Sequence, residues 1–277
     1  MTLVMPAYVA ASPDGLFPAS LAVKTVSVYP ENPSLGLATV LGSILVFDPP
    51  TGAPVGLVDG AALTALRTGA GSGVATEALA RRDAETVAIF GSGAQAATQL
   101  MAVCAVRNIR KAWVFSRSSE RAEEMCARLQ GHDRLPTDLT VATSARQAIE
   151  DADIVCTATG SLSALFEDDN LKPGTHINAI GAFRPDMQEI PPATVKRARI
   201  FVDHLSSVLQ EAGDLVQPLR LGQIEKNHLV GEIGSLLAGR LTGRQNAQEI
   251  TLFKSVGMAA QDAVCSTLAI RNALFPG

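Results

Sequence analysis

Val87-Ala88-Ile89-Phe90-Gly91-Ser92-Gly93-Ala94-Gln95-Ala96 is the stretch on which the fold turns. A short apolar strand runs into G-x-G-x-x-A and then into a helical pattern. Gly91 permits the tight turn, and Gly93 lets backbone approach a pyrophosphate. Ala96 is small enough for the helix to pack near the strand, and the helix N-terminus faces the phosphates. The motif alone is weak, but strand, helix and next strand sit where dinucleotide binding requires them. Gly91, Ser92, Gly93, Ala94 and Gln95 are therefore expected to hold a dinucleotide.

Downstream, strand and helix alternate. Lys111 to Phe115 reads as a strand and Ser118 to Leu129 as an amphipathic helix. Strands follow near Leu139 to Ala142, Ile154 to Thr157, His176 to Ile180 and Ile200 to Val202, with a helical turn at Ala145 to Glu150. This alternation predicts an α/β fold, a Rossmann-type doubly wound parallel sheet with helices on both faces. After Glu232 the pattern reads as mainly helical, ending in a helix over about Glu249 to Arg271.

The second strand informs on the cofactor. NAD sites place a carboxylate near its end for the ribose 2′-hydroxyl. Here the sequence is Phe115-Ser116-Arg117-Ser118-Ser119, an arginine among hydroxyls. A guanidinium can pair with a 2′-phosphate. Ser116, Arg117 and Ser118 thus favour NADP(H) over NAD(H); the bland alternative is a solvated Arg117. Thr157, Ala158 and Thr159 leave a later strand and either border the nicotinamide ribose or form an ordinary strand exit.

Upstream, Leu3 to Ala11, Leu21 to Tyr29, Thr39 to Phe47 and Pro54 to Val58 read as strands of a mostly antiparallel sheet, joined at turns such as Ser12-Pro13-Asp14-Gly15. At Asp59, a candidate N-cap, the spacing turns helical and predicts a helix bridging two domains. The expected organisation is a smaller α+β domain, 1–73 with 257–277, and a dinucleotide domain, 74–256.

Composition removes other classes. The 277 residues are 47% hydrophobic and 18% charged, with a net charge of −4. That excludes disorder. No basic patch points to nucleic acid, and no apolar run is long enough for a membrane span. The N-terminus has no basic start or long apolar core, so no signal peptide is expected and the cytoplasm is the expected location. Cys104, Cys126, Cys156 and Cys265 are scattered and read as free thiols; no metal site is expected.

Taken together, the chain resembles the ornithine cyclodeaminase/mu-crystallin family. The resemblance rests on Leu21-Ala22-Val23-Lys24 with Tyr29-Pro30-Glu31-Asn32-Pro33, on Leu63-Thr64-Ala65-Leu66-Arg67-Thr68-Gly69-Ala70, and on the glycine motif. Ile177-Asn178-Ala179-Ile180-Gly181-Ala182 and Glu249 to Gly257 continue it in family order. It implies a two-domain homodimer with a nicotinamide cofactor and an amino or cyclic imino acid substrate between the domains. It adds Val256 and Gly257 to the cofactor residues. It also makes Lys24 a substrate-facing lysine and Arg67 a fork for the substrate carboxylate; on their own, both read as surface charges.

The resemblance is not uniform. Cyclodeaminases of the family carry an aspartate acid/base two residues after the glycine matched by Gly181; here Phe183 stands there. Arg184-Pro185-Asp186-x-x-Glu189 looks like the mu-crystallin branch, which includes NADPH-dependent ketimine reductases. Family members also carry several dozen residues ahead of the block opening Leu3-Val4-Met5-Pro6, so an exposed apolar edge strand is expected. The favoured expectation is NADPH-dependent reduction of a small cyclic imino acid of the Δ1-pyrroline-2-carboxylate or Δ1-piperideine-2-carboxylate type. The alternatives are ornithine cyclodeaminase, an alanine-type dehydrogenase and a non-catalytic NADP(H)-binding protein. Asp203 reads as a helix cap or a substrate contact. Glu232 and Asp262 are open in the same way, with ordinary helix surface charges as one reading, and stay outside the expected site.

Overall fold

The computed structural model describes residues 2–29, 31–38 and 40–274. Pro30, in the second block of the resemblance, and Thr39, at the start of the expected third strand, lie outside them. The chain divides into two compact units, Met1–Arg67 with Gly257–Gly277, and Thr68–Val256.

The first unit opens with an antiparallel meander: β1 (Thr2–Val9), β2 (Ser20–Val28), β3 (Val40–Phe47) and β4 (Pro54–Asp59), in spatial order β1-β2-β3-β4. Helix α1 (Gly60–Leu79) follows. Asp59 caps it, its Oδ1 accepting the N–H groups of Ala61 (2.8 Å) and Ala62 (3.0 Å). The C-terminal helix of the chain returns to this sheet: Ala263 packs with Ala22, Ile44, Val46 and Leu63, and Ile270 lies against Gly56. The edge strand β1 leaves Val4 and Tyr8 exposed.

The second unit holds β5 (Thr86–Phe90), α2 (Ala94–Val106), β6 (Lys111–Phe115), α3 (Ser119–Leu129), β7 (Asp138–Val141), α4 (Ala145–Ile149) and β8 (Ile154–Thr157). It continues through β9 (His176–Ala179), α5 (Pro192–Arg197), β10 (Arg199–Val202), α6 (Leu205–Glu211), α7 (Gly213–Arg220), β11 (Leu229–Glu232), α8 (Ile233–Leu237) and β12 (Thr251–Lys254). Among the described residues these strands form one parallel sheet, order β11-β10-β12-β9-β8-β5-β6-β7. The chain steps from β5 outward to β7, then returns to β8 on the other side of β5. At such a reversal, sheets of this kind take ligands outside the carboxyl ends of the flanking strands, here β5 and β8. Apolar clusters fill both faces, one around Phe90, Ile177 and Leu252 and one around Ile89, Leu100 and Val114. Helix α1 lies close on α2: a Cβ at Gly69 would sit 2.6 Å from the Thr98 carbonyl oxygen.

One expectation fails. Glu249 to Arg271 is not a single helix. Thr251–Lys254 is β12, inserted between β10 and β9 and fully buried, and the last helix, α9, spans Ala259–Leu274. Short apolar runs buried on both faces of a parallel sheet lose the period-2 alternation that marks a strand. Gly257, at φ +84°, turns the chain between strand and helix.

Cys104 and Cys156 are buried, and burial pushes both thiols up to about 12. Cys126 and Cys265 are half-buried and also free. No helix among the described residues is long and apolar enough to cross a membrane.

Candidate functional site

At the end of β5, Gly91 takes φ +118°, and a Cβ there would lie 2.6 Å from the Ala158 carbonyl oxygen. Gly93 faces open space and stands as the N-cap of α2, with no side chain capping the helix. The first helix-type bond is Ala97 N–H to Gly93 O, so the N–H groups of Ala94, Gln95 and Ala96 have no intrahelical acceptor. The Gln95 Oε1 is buried without a hydrogen-bond partner. Donors at an uncapped helix start, backed by a glycine that keeps the approach open, fit a pyrophosphate.

Beside this cradle, Ser92 Oγ and Ser116 Oγ lie 3.1 Å apart. Arg117 is exposed on the loop after β6. Ser118 caps α3, its Oγ accepting the Arg121 N–H at 3.3 Å. The exits of β8 and β9 are bound together from below by Glu189, which is fully buried. Its Oε1 accepts from Thr159 N (2.6 Å) and Thr159 Oγ1 (2.8 Å). Its Oε2 accepts from Thr157 Oγ1 (2.8 Å), Gly181 N (2.7 Å) and Ala182 N (3.2 Å). The hydroxyls of Thr157 and Thr159 are thus committed to Glu189. Asp214 Oδ1 holds the Glu189 and Ile190 N–H groups at 2.7 and 2.9 Å, and its Oδ2 accepts from Lys254 Nζ at 2.9 Å. Burial, then the Asp214 charge, pushes the Glu189 carboxyl above its ordinary range.

In the first unit the two expected cations lie together. Lys24 is on the inner face of β2, in register with buried Ala22, and is 3% exposed. Its Nζ meets Asp262 Oδ2 at 2.5 Å. Arg67, on α1, donates through Nε to Asp262 Oδ1 (3.0 Å) and through Nη1 to Gln261 Oε1 (3.0 Å). Gly257 lies against the guanidinium, and a Cβ there would come within 2.6 Å of Nη1. Burial lowers the Lys24 ammonium below the usual lysine range, and nearby Arg67 adds to this while Asp262 opposes it. The reading of Lys24 and Arg67 as surface charges is therefore overturned.

The sequence profile of the ornithine cyclodeaminase/mu-crystallin family matches residues 2–274. The chain belongs to the ornithine cyclodeaminase/mu-crystallin family. Within the family it is 39% identical over 259 residues to a Δ1-pyrroline-2-carboxylate reductase of Bacillus cereus, covering 93% of this chain and 79% of that protein. It superposes with a TM-score of 0.88 and 40% identity on Thermococcus litoralis Δ1-pyrroline-2-carboxylate reductase solved with NADH and L-proline, over 99% of this chain and 87% of that one. An archaeal alanine dehydrogenase dimer with bound NAD gives 0.85 and 29%, over 99% and 86%.

Several polar residues of this family member find other partners. Asp203 Oδ2 accepts from Ser255 Oγ (2.7 Å) and from the Val256 N–H (2.9 Å), so the Val256 N–H is already bonded. Glu232 Oε1 accepts the Leu205 N–H at the start of α6. Asp186 forms an exposed two-point pair with Arg184 (3.0 and 2.9 Å), beyond half-exposed Phe183. Sequence reasoning missed Asp262 and Glu189. Asp262 carried a signal: Ala259, Asp262, Ala263 and Ser266 share the i, i+3, i+4, i+7 spacing of one helix face.

Proposed function

We propose that this chain reduces a small cyclic imino acid of the Δ1-pyrroline-2-carboxylate or Δ1-piperideine-2-carboxylate type to the cyclic amino acid, using a reduced nicotinamide dinucleotide. The observation that carries this reading is the buried Lys24–Asp262–Arg67 cluster. Two cations share one carboxylate, which leaves a positive charge matched to a substrate carboxylate. Arg67 binds that carboxylate, and Lys24 Nζ donates a proton to the imine nitrogen. Burial makes the Lys24 proton easier to release than that of a solvated lysine. Residues Gly91 to Gln95 hold the dinucleotide phosphates, with Ser116 at the ribose side. When bound, the dihydronicotinamide supplies the hydride that reaches the imine carbon.

Both relatives named as pyrroline-2-carboxylate reductases support this substrate class. Phe183 carries no acid or base, which speaks against ring closure of ornithine. For the cofactor, exposed Arg117 favours the 2′-phosphate of NADPH, whereas the solved relatives carry NADH or NAD. The first experiment follows NADPH and NADH absorbance with Δ1-pyrroline-2-carboxylate. Consumption of either cofactor with substrate is expected, and ammonia release from ornithine without added reductant would overturn the reading. Arg117→Ala is expected to raise KM for NADPH about tenfold and leave KM for NADH unchanged. An unchanged NADPH KM removes Arg117 from the cofactor site.

The first unit, with its boundary near residues 67–73, is proposed to bind substrate and to dimerise. Leu45 and Leu57 pair across β3 and β4 on the sheet face opposite Lys24 and are exposed, as are Val4 and Tyr8 on β1. An apolar face of this kind marks an association surface. Light scattering is expected to give twice the chain mass of 28.9 kDa; a single chain mass rejects the dimer.

A further inference from the structure

We propose that Asp262 is the positioning residue of the cationic cluster, clamping Lys24 and Arg67 with its two oxygens and keeping Lys24 charged. This rests on the reading of Lys24 and Arg67 as substrate ligands. Asp262 is 1% exposed, and each oxygen serves a different cation: Oδ2 lies 2.5 Å from Lys24 Nζ and Oδ1 3.0 Å from Arg67 Nε. The cations come from β2 and α1, and the anion from α9. One carboxylate thus fixes the separation of two side chains far apart in sequence.

The electrostatics point the same way. The charged groups facing Lys24 are Arg67 from α1 and Asp262 from α9. Its cross-strand neighbours are Met5 on β1 and Ile44 on β3, both uncharged. Cys265, one turn beyond Asp262, is held in the thiol form by burial. Without Asp262, burial and Arg67 would both act to remove the Lys24 proton. Lys24 would then reach the reaction without the proton it is to deliver.

The test is a pH titration of Lys24 in the apoprotein, with 13Cε-lysine NMR and the resonance assigned by its absence from Lys24→Met. In Asp262→Asn, which keeps the shape and removes the charge, the Lys24 midpoint is expected to move to lower pH by about 1 unit or more. The alkaline limb of kcat/KM should move with it. Asp262→Glu keeps the charge and displaces it, so the midpoint should stay near that of the parent while kcat/KM falls about tenfold. It also serves as the folded variant should the asparagine form fail to fold. A merely structural role lowers activity and melting temperature without moving the midpoint. An unmoved midpoint in Asp262→Asn, or a midpoint in Asp262→Glu that falls as far as burial beside Arg67 would take it, overturns the proposal. Full activity in Lys24→Met overturns instead the reading of Lys24 as proton donor, and the NMR midpoint still decides Asp262.

Discussion

Arg67→Met is expected to lower kcat/KM for Δ1-pyrroline-2-carboxylate by about 10³-fold or more, with the protein still folded. Two effects add. A charge-assisted fork to the substrate carboxylate is lost in a buried place, where such bonds are strongest. Asp262 Oδ1 and Gln261 Oε1 also lose their donors, so the residual cluster turns toward Lys24. With one cation and one carboxylate left, the cluster is neutral and no longer attracts an anion. Arg67→Lys should recover little, because a single ammonium cannot occupy both the Nε and Nη1 positions. Steady-state kinetics with a circular-dichroism melt of each variant checks this. Values of kcat/KM within threefold of the parent would remove Arg67 from the site.

Lys254→Met is expected to have the largest effect on stability, about 3–5 kcal/mol. Lys254 and Asp214 are both fully buried, and their contact is 2.9 Å. Removing the ammonium leaves Asp214 charged in the interior beside Glu189. Asp214 cannot simply turn away, since its other oxygen holds the N–H groups of Glu189 and Ile190. The loss should depend on pH. Glu189 already sits above its unfolded value of about 4.5, from burial first and Asp214 second, so its proton is bound more tightly in the folded chain. Its contribution is therefore greatest below about pH 4.5 and fades as pH rises through the raised value. Without Lys254, whose charge opposes the shift, the Glu189 carboxyl rises further, and the variant should be closest to the parent in acid. Thermal melts at pH 5.5 and 8 test this, with a drop of about 10 °C or more expected at pH 8. Equal melting temperatures at both pH values would refute it.

The alternation of strand and helix was enough to read the parallel sheet, and the motif running from β5 into α2 marked its dinucleotide end because its glycines answer a local geometric need. The site was harder. Lys24 sits in an alternating strand, and alternation normally turns polar positions to water. Here it occupies the inner register beside Ala22, where its charge is tolerated because α9 brings Asp262 to it. Nothing within ten residues of either partner announces that pairing. Glu189 shows the same difficulty: its five donors come from the end of β8 and from the segments that follow β8 and β9, which only the sheet brings together. Strand β12 was hidden for another reason. Four residues buried on both faces carry no periodicity, so length and composition alone could not separate strand from helix.

The place of β12 bears on how the chain is made. It stands between β9 and β10, yet it is encoded more than seventy residues after the start of β9. During synthesis β9 and β10 leave the ribosome with facing edges unpaired, and such edges are prone to join other chains. The meander at the start waits longer still, because α9 supplies both its apolar cover and the partner of Lys24. Strands β1 to β4 are made well before α9 yet are completed only with it, so the meander is expected to become stable only once α9 has been synthesised.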